Sequence, residues 1–495
     1  MSPAYASLLK RTRELALLGS TSSLLHWDQE TYMPEKANAW RAEQLAHFAG
    51  LSHRLWTADE VGGWIADCEA SGLSAGSDAA VNVREWRRSY DRATQLPSAL
   101  VEECSKTEAL AHQAWVGARA RNDFPAFQPL LTQLVELARR KADLWGYTES
   151  RYDALLDAYE PGTTASTIES LFEGLAPRLS RLVAEGAAAQ DARPAPPLPA
   201  GTYPVEAQQA LNREVAAALG FDFEAGRIDT TAHPFCTELG PNDCRLTTRY
   251  DTDDFTSSLY GIMHETGHGL YDQGLPGEHY GTPCGTAVSL GIHESQSRLW
   301  ENHIGRSRAF WEHWFARAVH HFPQLKASSP EALWRHVNRI ERSFIRVEAD
   351  EVTYDLHIIL RFRIERRLIE GDLEAADVPA FWNESFHQLF GLTVPDDRRG
   401  CLQDIHWSMG GFGYFPTYTL GNLNAALLMN AATRDLPRLP AELAAGQYGS
   451  LLGWLREKIH QPGMHLRPLE LMRAATGQEV TPEAHLAHLA AKVSA

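Results

Sequence analysis

The residues best suited to chemistry form the segment HETGH, which runs from His264 to His268. Histidines four residues apart project from the same face of a helix, so both imidazoles can converge on one metal ion. Glu265 directly follows the first histidine and would flank the metal rather than bind it, which suits a general base acting on water. The segment therefore predicts a metal centre held by His264 and His268, with Glu265 as the base.

A catalytic metal of this kind needs a third protein ligand, and the segment IHESQSRLWEN at residues 292–302 offers Glu294. Glycines and a proline between the two segments predict a turn that folds a second helix back onto the first. His293 is a competing ligand, but on a helix it would point away from Glu294. Two imidazoles and one carboxylate favour zinc, and cobalt or manganese would suit the same ligands.

Two interpretations without peptide chemistry stay open, because a five-residue motif can also occur by chance. The chain could be a helical binding scaffold with an accidental HETGH, in which case metal analysis would find no stoichiometric ion. A non-haem iron oxygenase also uses two histidines and a carboxylate, but typically on a β-barrel. The helical periodicity of this chain argues against the oxygenase.

Most of the chain has helical periodicity, since apolar residues recur at spacings of three and four. The stretch from Tyr354 to Ile369 is a clear case, and the N-terminal twenty residues predict a first amphipathic helix. Asp253 or Asp254 is expected to cap the HETGH helix. Gly274 is expected to end that helix in a left-handed conformation.

Three segments depart from this pattern. Ala187 to Pro204 is rich in proline and predicts a loop or hinge. Asp243 to Tyr250 is short and alternating, which predicts a strand, and the Gly- and aromatic-rich stretch from Gly410 to Asn422 predicts a loop. The whole predicts one mostly α-helical catalytic domain over residues 1–495, with two lobes, a deep central groove and a small β-sheet beside the metal.

Seven segments, in order along nearly the whole chain, resemble those of the carboxypeptidase Taq family of metallocarboxypeptidases. They are LLHWDQETYMP at 24–34, HPF at 233–235, DCRLT at 243–247, HETGH at 264–268, HESQS at 293–297, IRVEAD at 345–350 and GCLQDIHW at 400–407. The resemblance implies removal of single residues from the free C-terminus of peptides, with broad specificity, by a homodimer. An endopeptidase or dipeptidase of the same helical fold stays open, because it would share the metal ligands.

The resemblance also implies roles outside the metal centre. Arg346, in IRVEAD, is similar to the family's arginine for the terminal carboxylate of the substrate, and a planar guanidinium suits that group. A structural ion pair with Glu348 or Asp350 is the alternative. Tyr414 and Tyr418 lie in a segment similar to the tyrosine-bearing segment of related helical metallopeptidases, so they are candidates for stabilising an oxyanion, although either ring could simply pack.

Further substrate-binding candidates come from three of the same segments. Asp404 and His406 are expected to line the site or bind substrate backbone, with a buried, satisfied pair as the alternative. Arg245 and Thr247 would lie on an edge strand that aligns an extended peptide. His233 is a candidate for either a functional or a structural role.

Composition narrows the class of partner. With 46 Lys plus Arg against 63 Asp plus Glu, the formal charge of -17 opposes binding to a phosphate backbone, so nucleic acid is not expected as a partner. No uncharged apolar run approaches the length of about 20 residues that a membrane span needs, and the N-terminus lacks a secretory pattern. Six cysteines without a CxxC pair predict reduced thiols and a cytoplasmic protein.

Overall fold

The computed structural model describes residues 2–494, which form twenty α-helices and one three-stranded sheet. Before the sheet lie α1 (Pro3–Thr31), α2 (Asn38–Trp56), α3 (Asp59–Ala70), α4 (Asp78–Thr94), α5 (Ser98–Arg121), α6 (Phe124–Trp145), α7 (Arg151–Leu156), α8 (Ala165–Ala192) and α9 (Val205–Leu219). The strands are β1 (Gly226–Thr230), β2 (Cys236–Gly240) and β3 (Asp243–Thr248). The mostly helical class with a small sheet is confirmed.

The helices after the sheet carry most of the residues singled out in the sequence. They are α10 (Phe255–Asp272), α11 (Leu290–Arg298), α12 (Arg308–His321), α13 (Pro330–Val337), α14 (Glu351–Glu370), α15 (Val378–Phe390), α16 (Pro416–Asp435), α17 (Leu439–Ala444), α18 (Gly449–Leu455), α19 (Pro468–Thr476) and α20 (Glu483–Val493). A π-helical segment, Leu299–Gly305, continues α11 directly. The predicted helices at the N-terminus and over Tyr354 to Ile369 are confirmed as α1 and α14.

Two large apolar cores give the body its two lobes. The first lobe packs α5–α8, α14 and α15 together, and the second packs α9, the sheet, α10–α13 and α17–α19. Helix α16 belongs to both, because Leu423 lies in the first core and Leu427, one turn later, lies in the second. A smaller core joins α1, α3 and α4. Elements from both lobes therefore meet along α16, and the deep central groove stays a prediction.

The loop predicted for Ala187 to Pro204 is wrong over its first third. Helix α8 continues to Ala192, and only residues 193–204 lack helical structure. The sequence AAAQDA at residues 187–192 consists mostly of good helix formers, so the helix ends only where the prolines begin. The remaining loop links α8 of the first lobe to α9 of the second. A hinge at this link, and the single domain over 1–495, stay predictions.

The loop predicted for Gly410 to Asn422 is also too long, because α16 begins at Pro416. Proline is well tolerated in the first turn of a helix, where its missing N–H has no partner to lose. Gly410 and Gly413 have φ values of 68° and 90°, so the turn before α16 does need glycine. The glycines mark the turn, and the residues from Pro416 onward already belong to the helix.

The ends of the HETGH helix, α10, were predicted half correctly. Asp254 caps it by accepting a hydrogen bond from the backbone N–H of Thr256, as expected. The left-handed stop at Gly274 is wrong, since α10 ends at Asp272 and Gly274 is absent from the glycines with positive φ. Gly274 is needed for space instead, because a Cβ there would overlap the ring of His460.

The sheet has the strand order β1-β3-β2, with β3 parallel to β1 and antiparallel to β2. The strand predicted from Asp243 is confirmed as β3, ending at Thr248. The expectation that Arg245 and Thr247 lie on an edge strand is wrong, because β3 is the central strand and both of its edges are already paired. Among the described helices, none is long and apolar enough to cross a membrane.

Candidate metal centre

The side chains of His264, His268 and Glu294, the metal cluster, converge at one point. The Nε2 atoms of the two histidines lie 3.6 Å and 3.4 Å from the same carboxylate oxygen, Oε2 of Glu294. Tetrahedral ligands at metal distances of about 2.0–2.1 Å would be spaced about 3.3 Å apart, close to these values. The histidine side chains retain 22% and 16% exposure, so the cluster is open to a substrate. The three residues thus fit a divalent cation with an open position.

Close helix packing brings the third ligand to the histidines. A Cβ on Gly267, inside HETGH, would lie 2.5 Å from the Cα of Ser297 and 2.6 Å from the carbonyl oxygen of Gln296. Only glycine therefore lets the backbones of α10 and α11 approach this closely. On the other side of α11, a Cβ on Gly421 would lie 2.7 Å from the Cβ of Glu294. Glu294 is held between α10 and α16 by two glycines.

The outer nitrogens of both histidines have partners that sequence reasoning missed. Nδ1 of His264 lies 2.9 Å from Oε2 of Glu301, which the π-helical segment carries. Nδ1 of His268 lies 2.5 Å from Nδ1 of His293, whose Nε2 lies 2.9 Å from Asp272. These contacts fix the ring orientations and leave each Nε2 facing the cluster. His293 is consequently a supporting residue, in agreement with its predicted turn away from Glu294.

A signal for one of these partners was present in the sequence. Asp272 follows His268 by four residues on α10, one helical turn along the same face, and could have been found by that spacing. Glu301 follows Glu294 by seven residues, about two helical turns, but its contact with His264 depends on how the π-helical segment after α11 packs on α10, which spacing alone does not give.

Charges around the cluster set the protonation of its members. Burial raises the pKa of Glu294, but Arg298 and the two histidines outweigh burial and hold it well below its usual range. Burial raises the pKa of Glu265 to about 7, with His264 opposing the shift. Glu294 is thus a carboxylate ready to bind a cation, whereas Glu265 can both accept and release a proton near neutral pH.

A second group of charged residues lies in the first lobe and is called here the cationic cluster: Arg346, Arg361 and Asp404. Nε of Arg346 donates to Oδ1 of Asp404 over 3.0 Å, and Nε of Arg361 donates to Oδ2 over 2.6 Å. The alternative partners expected for Arg346, Glu348 and Asp350, are wrong. Glu348 is exposed. The carboxylate of Asp350 accepts hydrogen bonds from backbone N–H groups in the first turn of α14 and so caps that helix. Two guanidinium groups therefore share a single carboxylate.

The two clusters are connected through Tyr354. Arg346 donates from Nη1 to the Tyr354 hydroxyl over 3.0 Å. The guanidinium carbon of Arg298 lies 4.5 Å from the centre of the same ring, and Arg298 donates to Oε1 of Glu294 over 2.7 Å. Two side chains, Tyr354 and Arg298, thus lie between the cationic cluster and the metal ligand Glu294.

Three half-buried side chains, Tyr414, Tyr418 and His406, lie together beside the cationic cluster. The Tyr418 hydroxyl lies 3.3 Å from Nε2 of His406, and the Tyr414 and Tyr418 rings are 5.4 Å apart. Tyr418 precedes Gly421 by about one turn of α16, so it extends from the surface that packs on Glu294. Asp404 counteracts the burial of His406 only in part, and burial lowers the pKa of this histidine to about 4, so its ring is neutral at pH 7.

A model of the family described as carboxypeptidase Taq (M32) metallopeptidase matches residues 7–493 of the chain. The chain belongs to this family. Thermostable carboxypeptidase 1 of Thermus thermophilus is 44% identical in an alignment of 508 positions. The alignment covers 99% of this chain and 98% of the relative. Carboxypeptidase 1 of Bacillus subtilis is 36% identical over 99% of this chain and 97% of the relative.

Solved structures agree with this assignment. An M32 carboxypeptidase from Deinococcus radiodurans is 38% identical and superposes with a TM-score of 0.96 over 100% of this chain and 99% of its own. Metallocarboxypeptidase 1 of Trypanosoma cruzi is 37% identical, with the same TM-score, over 99% of both chains. Membership in a metallopeptidase family means a divalent metal, and it rules out the binding scaffold and the non-haem iron oxygenase.

Two residues predicted to bind substrate lie apart from the clusters of this M32 metallopeptidase. Arg245 forms an ion pair with Asp243 on its own strand, at 2.9 Å, and its guanidinium carbon lies 4.2 Å from the centre of the Trp27 ring. His233 is exposed in the turn between β1 and β2. Neither residue contacts the metal cluster or the cationic cluster in the described structure, and their roles stay predictions.

Proposed function

We propose that this chain is a zinc-dependent carboxypeptidase that removes single residues from the free C-terminus of peptides, with broad specificity. One observation carries the proposal: two imidazole Nε2 atoms meet one carboxylate oxygen beside the buried Glu265. Two side chains, Arg298 and Tyr354, connect this centre to a cluster that has a surplus positive charge. The metal cluster with Glu265 suits hydrolysis, and the cationic cluster suits recognition of a terminal carboxylate. The positive cluster favours a carboxypeptidase over an endopeptidase, because an endopeptidase does not need to bind a terminal carboxylate.

His264, His268 and Glu294 would hold the metal, and their two nitrogens and one oxygen suit zinc better than a harder ion. When bound, a zinc ion would act as a Lewis acid towards the scissile carbonyl and lower the pKa of water. Cobalt or manganese would fit the same ligands. Glu301 and His293 would hold the two imidazoles in the orientation that keeps Nε2 available.

Glu265 would be the general base and then the general acid. It follows His264 on α10 and is buried, and its pKa of about 7 matches a group that must gain and lose a proton in one cycle. In the proposed cycle, Glu265 accepts a proton from the attacking water and later delivers it to the nitrogen of the leaving amino acid.

Arg346 would bind the terminal carboxylate of the peptide. A guanidinium has five N–H groups, and contacts with Asp404 and Tyr354 use three of them, which leaves one on each terminal nitrogen. Since Arg361 shares the same Asp404, the cationic cluster keeps one positive charge that no carboxylate within it balances. A substrate carboxylate would balance it. Asp404 would then orient Arg346 rather than touch the peptide.

The oxyanion formed by attack on the scissile carbonyl would take a hydrogen bond from Tyr414 or Tyr418. Both hydroxyls are neutral donors, because burial raises the pKa of each above its ordinary value. The neutral His406 would position Tyr418 through their contact. A homodimer and a cytoplasmic location complete the proposal. The family resemblance supports the dimer, and the free state of all six cysteines in the described part of the chain supports the location.

The variant Glu265→Gln tests the chemistry. It keeps the size of the side chain but cannot accept a proton, so turnover should fall by about 1,000-fold while the metal content stays at one ion per chain. Turnover on a peptide and metal content by elemental analysis are measured on the same preparation. Glu312→Gln, an exposed residue on α12, is the matched control. A Glu265→Gln enzyme with turnover near that of the control would remove Glu265 from the mechanism.

A further inference from the structure

Two thiols and a carboxylate meet where the sheet packs on α10. Sγ of Cys236 lies 3.6 Å from Sγ of Cys244, on the neighbouring strand, and 3.5 Å from Oδ2 of Asp272. The ligand atoms of all three residues lie within 4.8 Å of one another. This group, the thiol cluster, shares no residue with the metal cluster.

The spacing of the thiol cluster matches a tetrahedral metal site. With metal–sulfur and metal–oxygen distances of about 2.3 Å and 2.0 Å, a tetrahedral ion separates two sulfurs by about 3.8 Å and a sulfur from an oxygen by about 3.5 Å. The observed separations are 3.6 Å and 3.5 Å. A disulfide would need the two sulfurs to approach to about 2.05 Å, which demands a much larger movement. The geometry fits a cation better than a disulfide.

We propose that Cys236, Cys244 and Asp272 form a second cation site, which binds a soft divalent ion such as Zn²⁺ or Cd²⁺. Thiolate ligands select such ions over Mg²⁺ or Ca²⁺, which prefer oxygen. Binding releases the two thiol protons to solvent, and the two thiolates and the Asp272 carboxylate then form bonds to the ion. No change of oxidation state is involved. The site lies outside the catalytic roles proposed above, and its occupancy can be measured without peptide hydrolysis.

A cavity borders the carboxylate of this site. A space of about 270 Å³ is lined by Asp272, Glu238, Tyr280 and Gly285, and the two cysteines lie behind Asp272 rather than in its lining. Glu238 is the direct cross-strand partner of Cys244, so a second carboxylate borders the same space. Burial and the nearby Asp272 raise the pKa of Glu238 to about 7. The cavity therefore gives an ion a path as far as the Asp272 carboxylate, and the partly buried Cys236 lies 3.5 Å from that carboxylate.

The thiol cluster is connected to the catalytic metal through Asp272. Oδ1 of Asp272 contacts Nε2 of His293 at 2.9 Å, and Nδ1 of His293 contacts Nδ1 of His268 at 2.5 Å. A cation on Oδ2 leaves that contact in place but makes the carboxylate a weaker acceptor. Because such outer contacts tune metal ligands, an occupied thiol cluster should lower turnover by up to about tenfold.

Cadmium binding to the intact enzyme tests the site. Enzyme that carries one Cd²⁺ per chain is titrated with further Cd²⁺, and bound ion is measured after dialysis together with thiolate-to-cadmium absorption in the ultraviolet. We expect a second ion, accompanied by that absorption and by reduced turnover. Cys236→Ser should lose the second ion and its absorption but keep the first. Cys104→Ser, a buried cysteine in a separate apolar cluster, is the matched control and should behave as the parent does.

Cadmium NMR of the unmodified enzyme keeps the test valid if Cys236→Ser fails to fold. Two resonances are expected, one in the range of nitrogen and oxygen ligands and one shifted downfield by sulfur. A single bound ion per chain, a second ion without a sulfur signature, or a Cys236–Cys244 disulfide in the protein as purified would each overturn the site. Binding of the second ion without any change in turnover would overturn the connection to His268.

Discussion

The metal cluster and the cationic cluster differ in how the chain assembles them. The metal cluster comes from two consecutive helices, α10 and α11, and its three ligands lie within 31 residues of sequence. The cationic cluster joins Arg346 to a partner 58 residues away and to Arg361 on α14. In the metal cluster, local sequence spacing determines which ligands meet. In the cationic cluster, tertiary packing determines which charges remain unbalanced. Changes to helix packing should therefore damage catalysis most, and changes to the cationic cluster should affect recognition.

The largest effect in this comparison is expected from Gly267→Ala. The new methyl group would overlap the backbone of Ser297 and Gln296, so α11 must move away from α10 and carry Glu294 with it. A displacement of about 1 Å at a reacting centre costs about 100-fold in rate, and the accompanying fall in metal affinity should lower turnover further. Metal content and turnover are measured together. Gly19→Ala, where a Cβ meets nothing within 4 Å, is the matched control. Normal metal content in Gly267→Ala would show that the helix contact does not set the site.

The next largest effect on turnover is expected when one tyrosine loses its hydroxyl group. Tyr414→Phe and Tyr418→Phe each keep the ring and its packing but remove a donor. The variant that loses the oxyanion donor should show kcat lowered by about 100-fold with little change in KM. The other variant serves as its control. If both variants turn over at nearly the parent rate, neither tyrosine stabilises the oxyanion.

Arg346→Lys should have a smaller and more selective effect. Lysine keeps the charge but loses the planar fork, so kcat/KM for a peptide with a free C-terminus should fall by about tenfold. Cleavage of the same peptide with an amidated C-terminus, already slow, should stay unchanged, because no carboxylate is present to lose its partner. An equal loss on both peptides would mean that Arg346 supports the fold rather than recognition.

Glu160 lies in the first lobe and supports the start of α11. A change at this residue is expected to have the smallest effect on turnover and to act on stability instead. Its carboxyl group accepts hydrogen bonds from Ser289 Oγ and the Gly291 N–H, and burial raises its pKa to about 7. The folded state therefore keeps a proton that the unfolded chain releases near its ordinary pKa of about 4.5. Stability should fall as the pH rises from about 4.5 to about 7, by about 2–3 kcal/mol from this group.

Glu160→Gln imitates the protonated acid and should remove this part of the pH dependence. Free energies of unfolding by urea at several pH values measure it, with Glu312→Gln as the control. A variant whose stability changes with pH as steeply as the control would show that Glu160 does not titrate in this range.

The sequence was sufficient for the parts of the molecule that depend on local spacing. Helical periodicity gave the fold class, and four-residue spacing gave His264 and His268 as neighbours on α10. It could not give Asp404 as the partner of Arg346, because that pairing depends on how the loop after α15 packs against the segment before α14. The sequence also led to the wrong expectation that β3 is an edge strand, because strand order depends on pairing across the whole sheet. Glu301 was not found because its contact with His264 depends on how the π-helical segment after α11 packs on α10.

The most direct test of the central claim is a matched pair of peptides that differ only at the C-terminus, one a free acid and one an amide. The metal-loaded enzyme should release the last residue of the free acid at least about tenfold faster, by kcat/KM, and release nothing from internal positions. Removal of the metal with a chelator should stop the release. Equal cleavage of the acid and the amide, or products cut from within the chain, would contradict the account.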